Sequence, residues 1–121
     1  MTSLKLRILF DGSMVGPGKA ELLERIGATG SIAAAGRQMA MSYKRAWMLV
    51  EEMNAAFAGP LVASARGGQG GGGARLTETG SEVLRLYREV QARSEAAAAE
   101  PIAELEALLR RQAAGERSDG K

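Results

Sequence analysis

Residues 31–57 read "SIAAAGRQMAMSYKRAWMLVEEMNAAF", and no other stretch restricts the possible folds as tightly. Ser31 and Ser42 each stand where a hydroxyl can cap the free amides of a following helix. "SIAAAGRQM" reads as a short helix packed through small residues. The helix from Ser42 to Phe57 is longer, and Gly59-Pro60 stops it. Only Met39-Ala40-Met41 separates the first helix from the second capping serine, so the first helix must brace the second.

The flanks complete an outline. "LKLRILF" (Leu4–Phe10) alternates apolar and basic residues, as a half-buried strand does, and "DGSMVGPG" reads as a loop. "KAELLERIGATG" places Ala20, Leu22, Leu23 and Ile26 on one helical face, with Gly27 and Gly30 ending it. "LVASAR" and "ARLTE" are short strand candidates on either side of a glycine tract. Thr77 or Thr79 can cap a helix from about Gly80 to Glu100, and "PIAELEALLRRQ" restarts a helix after Pro101. The order strand, helix, helix, tight turn, helix, strand, loop, strand predicts an α+β fold. It outlines a winged helix-turn-helix, mainly helical with a small antiparallel wing sheet, plus a long C-terminal helix. Residues 1–80 form the expected winged domain, 81–113 a helical dimerisation segment and 114–121 a disordered tail.

Composition removes whole classes of function. The 121 residues include no histidine and no cysteine. Imidazole bases, nucleophilic triads and most zinc or iron sites are thereby excluded, so no enzyme, no cofactor and no metal is expected. No stretch approaches the ~18–20 apolar residues of a membrane span, and the N-terminus is unlike a signal peptide; a cytoplasmic address is the expectation. Charge is uneven: residues 1–80 hold nine Lys/Arg against six Asp/Glu, a net +3, whereas 81–121 hold seven against eight, a net −1. The basic excess lies where an anion would be met.

On the helix Ser42–Phe57, Ala46, Val50, Met53 and Phe57 form one apolar stripe, with Tyr43 and Trp47 on its flank. Lys44, Arg45, Met48, Glu51 and Glu52 lie opposite. The cations therefore occupy the first turn, where the helix dipole also favours an anion. That polarity suits a recognition helix, and it equally suits an amphipathic helix with a solvated charged face. The tract "RGGQGGGGAR" (Arg66–Arg75) lacks the Gly-Lys-Ser/Thr that a phosphate-binding loop requires. It remains either a flexible linker or a hairpin loop whose glycines let backbone amides approach a sugar-phosphate rail.

"TGSIAAAGRQMAMSYKRAWMLVEEMN" followed by "GGQGGGGARLTETG" resembles the N-terminal DNA-binding domain of the ModE-type molybdate-responsive transcriptional regulators, a winged-helix group related to LysR-type regulators. The resemblance runs from about Leu4 to Tyr87. It implies a dimeric regulator that binds a near-palindromic site on double-stranded DNA. Ser42, Tyr43, Lys44 and Arg45 match the start of the family's recognition helix, Ser31 and Arg37 lie on the supporting helix, and Trp47 matches an aromatic expected to be largely core. Arg66, Gly68, Gln69, Gly70, Gly71 and Arg75 match the wing, expected to be mobile when unbound. Val83, Leu84, Tyr87 and Val90 are the expected dimerisation residues, with Leu86 widening their apolar surface; the same stripe can instead, or as well, pack back onto the domain's own strand and first helix.

Two departures stand out. The family has glycine where this turn has Ala40; either Ala40 is left-handed, at a cost of roughly 1 kcal/mol, or the turn differs slightly from the family's. About twenty residues follow Pro101, too few for the family's molybdate-binding modules, so a stand-alone form that does not sense molybdate by the usual route is expected. An alternative is an interaction module that forms a heterodimer with a full-length molybdate-responsive regulator. A third reading makes the glycine tract an oxyanion nest, for which no binding is expected.

Overall fold

A computed structural model describes residues 2–68 and 71–110, and of Arg66–Gly68, Gly71 and Gly72 the backbone alone. Two compact units divide the chain, Met1–Gln91 and Ala92–Lys121. Nine elements are present among the described residues: β1 (Ile8–Phe10), β2 (Ser13–Val15), α1 (Pro17–Thr29), α2 (Ile32–Gln38), α3 (Tyr43–Ala56), β3 (Val62–Gly68), β4 (Gly71–Leu76), α4 (Glu78–Ala97) and α5 (Ala99–Leu108). The chain is thus a mixture of five helices and two small antiparallel sheets. None of these helices is long and apolar enough to cross a membrane.

The first strand is shorter than its alternation suggests, and part of the expected loop is itself a strand. Gly12 turns at φ 93°, folding Ser13–Val15 back on Ile8–Phe10 with Ile8 opposite Val15. The stretch before β1 is instead held by α4: the Tyr87 hydroxyl donates to the Leu6 carbonyl at 2.6 Å and the Gln91 amide to that of Leu4 at 3.3 Å. Tyr87 is buried, and that burial pushes its phenol above the ordinary value of 10.0, against a smaller opposing pull from Arg88.

Helix α1 starts with Pro17, whose missing N–H costs nothing in a first turn, and ends on Gly30 in the left-handed region. Gly27, expected at the helix end, lies inside it, where the Leu76 side chain of β4 packs. The core of the first unit joins Leu22, Leu23 and Ile26 of α1 to Val50 and Met53 of α3 and to Leu61 before β3. Complete burial of a side chain this large contributes about 1.5–3 kcal/mol.

Both serine caps are present: Ser31 Oγ accepts the Ala34 amide and Ser42 Oγ the Arg45 amide, each at 3.0 Å. Between them, α2 ends with Ala40 at φ 58°. The Ala40 N–H donates to the Arg37 carbonyl at 3.0 Å and the Met41 N–H to the Gly36 carbonyl at 2.8 Å. These are the two hydrogen bonds of a Schellman ending, with alanine at the position glycine normally holds. Gly36 also lets the helices approach, since a Cβ there would stand 3.0 Å from the Ala46 Cβ.

Strands β3 and β4 pair antiparallel from Val62↔Leu76 to Gly68↔Gly71, with an irregularity between Ala65 and Gly68. The pairing therefore enters the glycine tract on both sides. Helix α4 begins at Glu78, two residues earlier than expected, because Thr77 Oγ1 accepts the Gly80 amide at 2.9 Å. The same hydroxyl donates to the Pro60 carbonyl at 2.6 Å. A Cβ on Gly80 would overlap the Leu61 carbonyl oxygen, so only glycine fits this crossing. In the second unit, Pro101 lies in the first turn of α5, where a helix tolerates it. The expected tail 114–121 lies outside the described residues.

Candidate nucleic-acid interface

The first turn of α3 presents the two central cations. Lys44 and Arg45 are both exposed, directly after the Ser42 cap. Ser42 is exposed too, although its hydroxyl is engaged by the Arg45 amide. Tyr43 is 57% exposed. On the opposite side of the helix Ala46, Val50 and Met53 are buried and Phe57 is half-buried, as the stripe predicts. Ser31 is half-buried as the cap of α2, and Arg37 is exposed in the last turn of that helix, across the short connection from Ser42.

Charge pairing sets these residues apart from Lys19, Arg25, Arg85 and Arg88, whereas Lys5, Arg7 and Arg110 likewise carry no ion pair among the described residues. Lys19 reaches Glu52 at 3.3 Å, Arg25 reaches Glu21 and Arg88 reaches Glu24, both at 2.6 Å, and Arg85 is held between Glu82 and Glu89. Among the described residues no carboxylate pairs with Arg37, Lys44, Arg45 or Arg75. Their charge is uncompensated at short range, as an anion-binding surface requires. The Lys19–Glu52 pair also engages one of the two acidic groups that share the outer side of α3.

The hairpin β3–β4 is fastened at both of its bases. Asn54 of α3 accepts the Leu61 and Val62 amides on Oδ1, at 2.8 and 3.1 Å, and donates to the Val62 carbonyl at 3.2 Å. On the other strand, the Ala74 amide donates to the Gly30 carbonyl at 2.9 Å, just before the Ser31 cap. The hairpin is thereby tied to the end of α3 and to the α1–α2 turn. Asn54 was not among the expected functional residues; its position beside buried Met53, shortly before an apolar strand, was the available signal.

Arg75 is exposed on β4 opposite Ala63. Arg66, Gly68 and Gly71 contribute backbone to the hairpin, with Gly68 facing Gly71. The Arg66 side chain, Gln69 and Gly70 lie outside the described residues, as does the expectation of a mobile tip. Trp47 differs from expectation: it is 45% exposed rather than core. It shares its side of α3 with Asn54, seven residues on, and that flank meets β3 through the Asn54 amide.

A second surface lies away from α3. Ile8, Phe10, Val15, Phe57, Val83, Leu86, Tyr87 and Val90 line an apolar groove of about 360 Å³. Phe10 meets Phe57 edge-on at 6.5 Å between ring centres. Of the four expected dimerisation residues, Tyr87 is buried within its own unit, Val83 and Leu84 are half-buried, and Val90 is exposed. Phe10, Leu86 and Val90 form the open part of the groove, each 40–49% exposed.

Three similar proteins bear on this arrangement. The chain is 44% identical over 81 residues to the molybdenum-pterin-binding protein MopB of Rhodobacter capsulatus, covering 67% of this chain and 30% of that protein. It is 45% identical over 73 residues to the molybdenum transport protein ModE of Herbaspirillum seropedicae, covering 60% and 27%. It is 42% identical over 71 residues to the DNA-binding transcriptional dual regulator ModE of Escherichia coli, covering 59% and 27%. The match thus spans less than a third of each of these relatives. No protein-family model matches the chain.

Proposed function

We propose that this chain is a sequence-specific DNA-binding regulator in molybdenum-related gene control, folded as a winged helix-turn-helix and acting as a homodimer. The observation that carries this reading is the start of α3, where Lys44 and Arg45 stand exposed and unpaired, as does Arg37 across the turn, while Lys19 and Arg25 hold carboxylates. In this reading α2, the Ala40 turn and α3 are the helix-turn-helix, with Ser42, Tyr43, Lys44 and Arg45 entering a major groove. Arg37 and Ser31 lie beside the backbone on the supporting helix, and the β3–β4 wing brings Arg66, Gly68, Gln69, Gly70, Gly71 and Arg75 to a neighbouring phosphate rail or minor groove. Similarity to a protein named as a DNA-binding transcriptional regulator supports the reading, as does similarity to proteins named for molybdenum.

Residues 1–80 are the DNA-binding part, and 81–113 supply the dimer contacts around Val83, Leu84, Tyr87 and Val90. Two copies related by a two-fold axis present two α3 helices to successive major grooves about 34 Å apart, which selects a near-palindromic site. The open groove at Phe10, Leu86 and Val90 also favours a second reading, in which this chain pairs with a full-length molybdate-responsive regulator and modulates it. Catalysis forms no part of either reading.

Selection from a randomised duplex library, followed by a mobility shift on the recovered sequences, tests the proposal. Recovery of a near-palindrome is expected. Failure to retain any duplex, together with co-elution with a full-length regulator, would favour the heterodimer.

A further inference from the structure

Met48 is 42% exposed on α3, on the side of the helix that also carries Lys44, Arg45, Glu51 and Glu52. At 100° per residue it lies about 40° from Lys44 and about 60° from Arg45, between the two unpaired cations and one turn further along. Trp47, comparably exposed, points about 100° away from it, toward the flank that Asn54 ties to β3. Met48 therefore places a large apolar side chain on the cationic face, one turn beyond Lys44; Ala55, on the same side, adds only a methyl group near the far end of the helix.

Resting on the DNA-binding reading above, we propose that Met48 is a specificity-determining residue that reads the C5-methyl group of a thymine in the major groove. Its thioether is at most a weak hydrogen-bond acceptor, so it cannot read the donor and acceptor pattern of the base edges. The thymine methyl is the one apolar group that the major groove offers, and it distinguishes thymine from every other unmodified base. An unbranched, polarizable side chain can follow that methyl while Lys44 and Arg45 engage phosphates or guanine on either side. Glu52 is drawn toward Lys19 and does not compete for the same position.

The test uses the full chain and the duplex it selects from a randomised library. Each thymine in turn is replaced by deoxyuridine, which removes only the methyl group, and affinity is measured by fluorescence anisotropy at constant salt. One thymine per half-site is expected whose replacement weakens binding about 3- to 10-fold, the range of one buried methyl contact. Met48→Ala is expected to lose a similar factor on the thymine duplex and to show no further loss on the deoxyuridine duplex; Met48→Leu is expected to retain discrimination. Wild-type binding indifferent to every replacement, or a Met48→Ala variant that still distinguishes the two bases, overturns this assignment while leaving DNA binding intact. A chain that selects no duplex overturns both.

Discussion

The side-chain oxygen of Asn54 accepts the backbone N–H of Leu61 at 2.8 Å, so the last turn of α3 is hydrogen-bonded to the start of the β3–β4 hairpin. The same amide group also serves both polar groups of the Val62 backbone. One side chain thus does for β3 what a neighbouring strand would do.

Replacing Asn54 leaves two amides of buried residues, Leu61 and Val62, without their acceptor. Asn54→Ala is expected to lower stability by about 2–3 kcal/mol in urea titrations. Asn54→Asp keeps the acceptor, loses the donor, and is expected to lose less. Hydrogen exchange at Leu61 and Val62 should accelerate in Asn54→Ala beyond what global destabilisation explains.

Ala40 carries a left-handed backbone in an otherwise complete Schellman ending. Ala40→Gly is expected to raise stability by about 0.5–1 kcal/mol, roughly 2–5 °C in melting temperature. Ala40→Val is expected to move it the other way. Thermal melts of the three proteins provide the check.

Tyr87 predicts a limit at high pH. Its phenol is held above the ordinary value of 10.0 by burial, so the folded state prefers the protonated form. The resulting stability is complete below pH 10.0 and is lost as pH rises through the folded value. Urea midpoints followed upward from neutral pH are expected to fall above about pH 10. Tyr87→Phe is expected to remove that component and to cost about 1 kcal/mol at neutral pH through loss of the hydrogen bond to Leu6.

The apolar groove predicts the behaviour of the proposed dimer. Leu86 and Val90 are open to solvent within one copy, so charging them should leave each copy folded. Leu86→Glu/Val90→Glu is expected to sediment as a monomer, with an unchanged far-ultraviolet spectrum and weaker binding to a palindromic duplex. A wild-type chain that is monomeric throughout the micromolar range would remove the homodimer from the account.

What could be read in the sequence followed from how local the chemistry is. The caps at Ser31 and Ser42 involve groups three residues apart, and both are present. The tight turn was legible from the shortness of Met39-Ala40-Met41 and the buried face of α3 from its periodicity, but the left-handed Ala40 was suggested only by the glycine that the resembling family has there. Strand β2 was hidden because three residues among glycines carry no period, and their pairing depends on the Gly12 turn. The glycine-rich hairpin extends further than expected because ladder hydrogen bonds require backbone rather than side chains. Trp47 was expected in the core from the resemblance alone, since its flank position on the helix does not reveal which element covers it. The distinction between paired and unpaired cations depends on contacts such as Arg88 with Glu24, 64 residues apart, and no local pattern encodes it.

The most direct test of the central claim is the salt dependence of duplex binding by the wild type and by a Lys44→Ala/Arg45→Ala variant. Each cation that neutralises a phosphate contributes about 0.9 to the slope of log affinity against log salt. With both residues on phosphates in each copy, the variant should lose roughly 2 from that slope per protomer and bind at least 10-fold more weakly at ~0.1 M salt, while melting at the wild-type temperature. A folded variant with wild-type affinity and an unchanged slope would contradict the assignment of α3 as the DNA-reading helix.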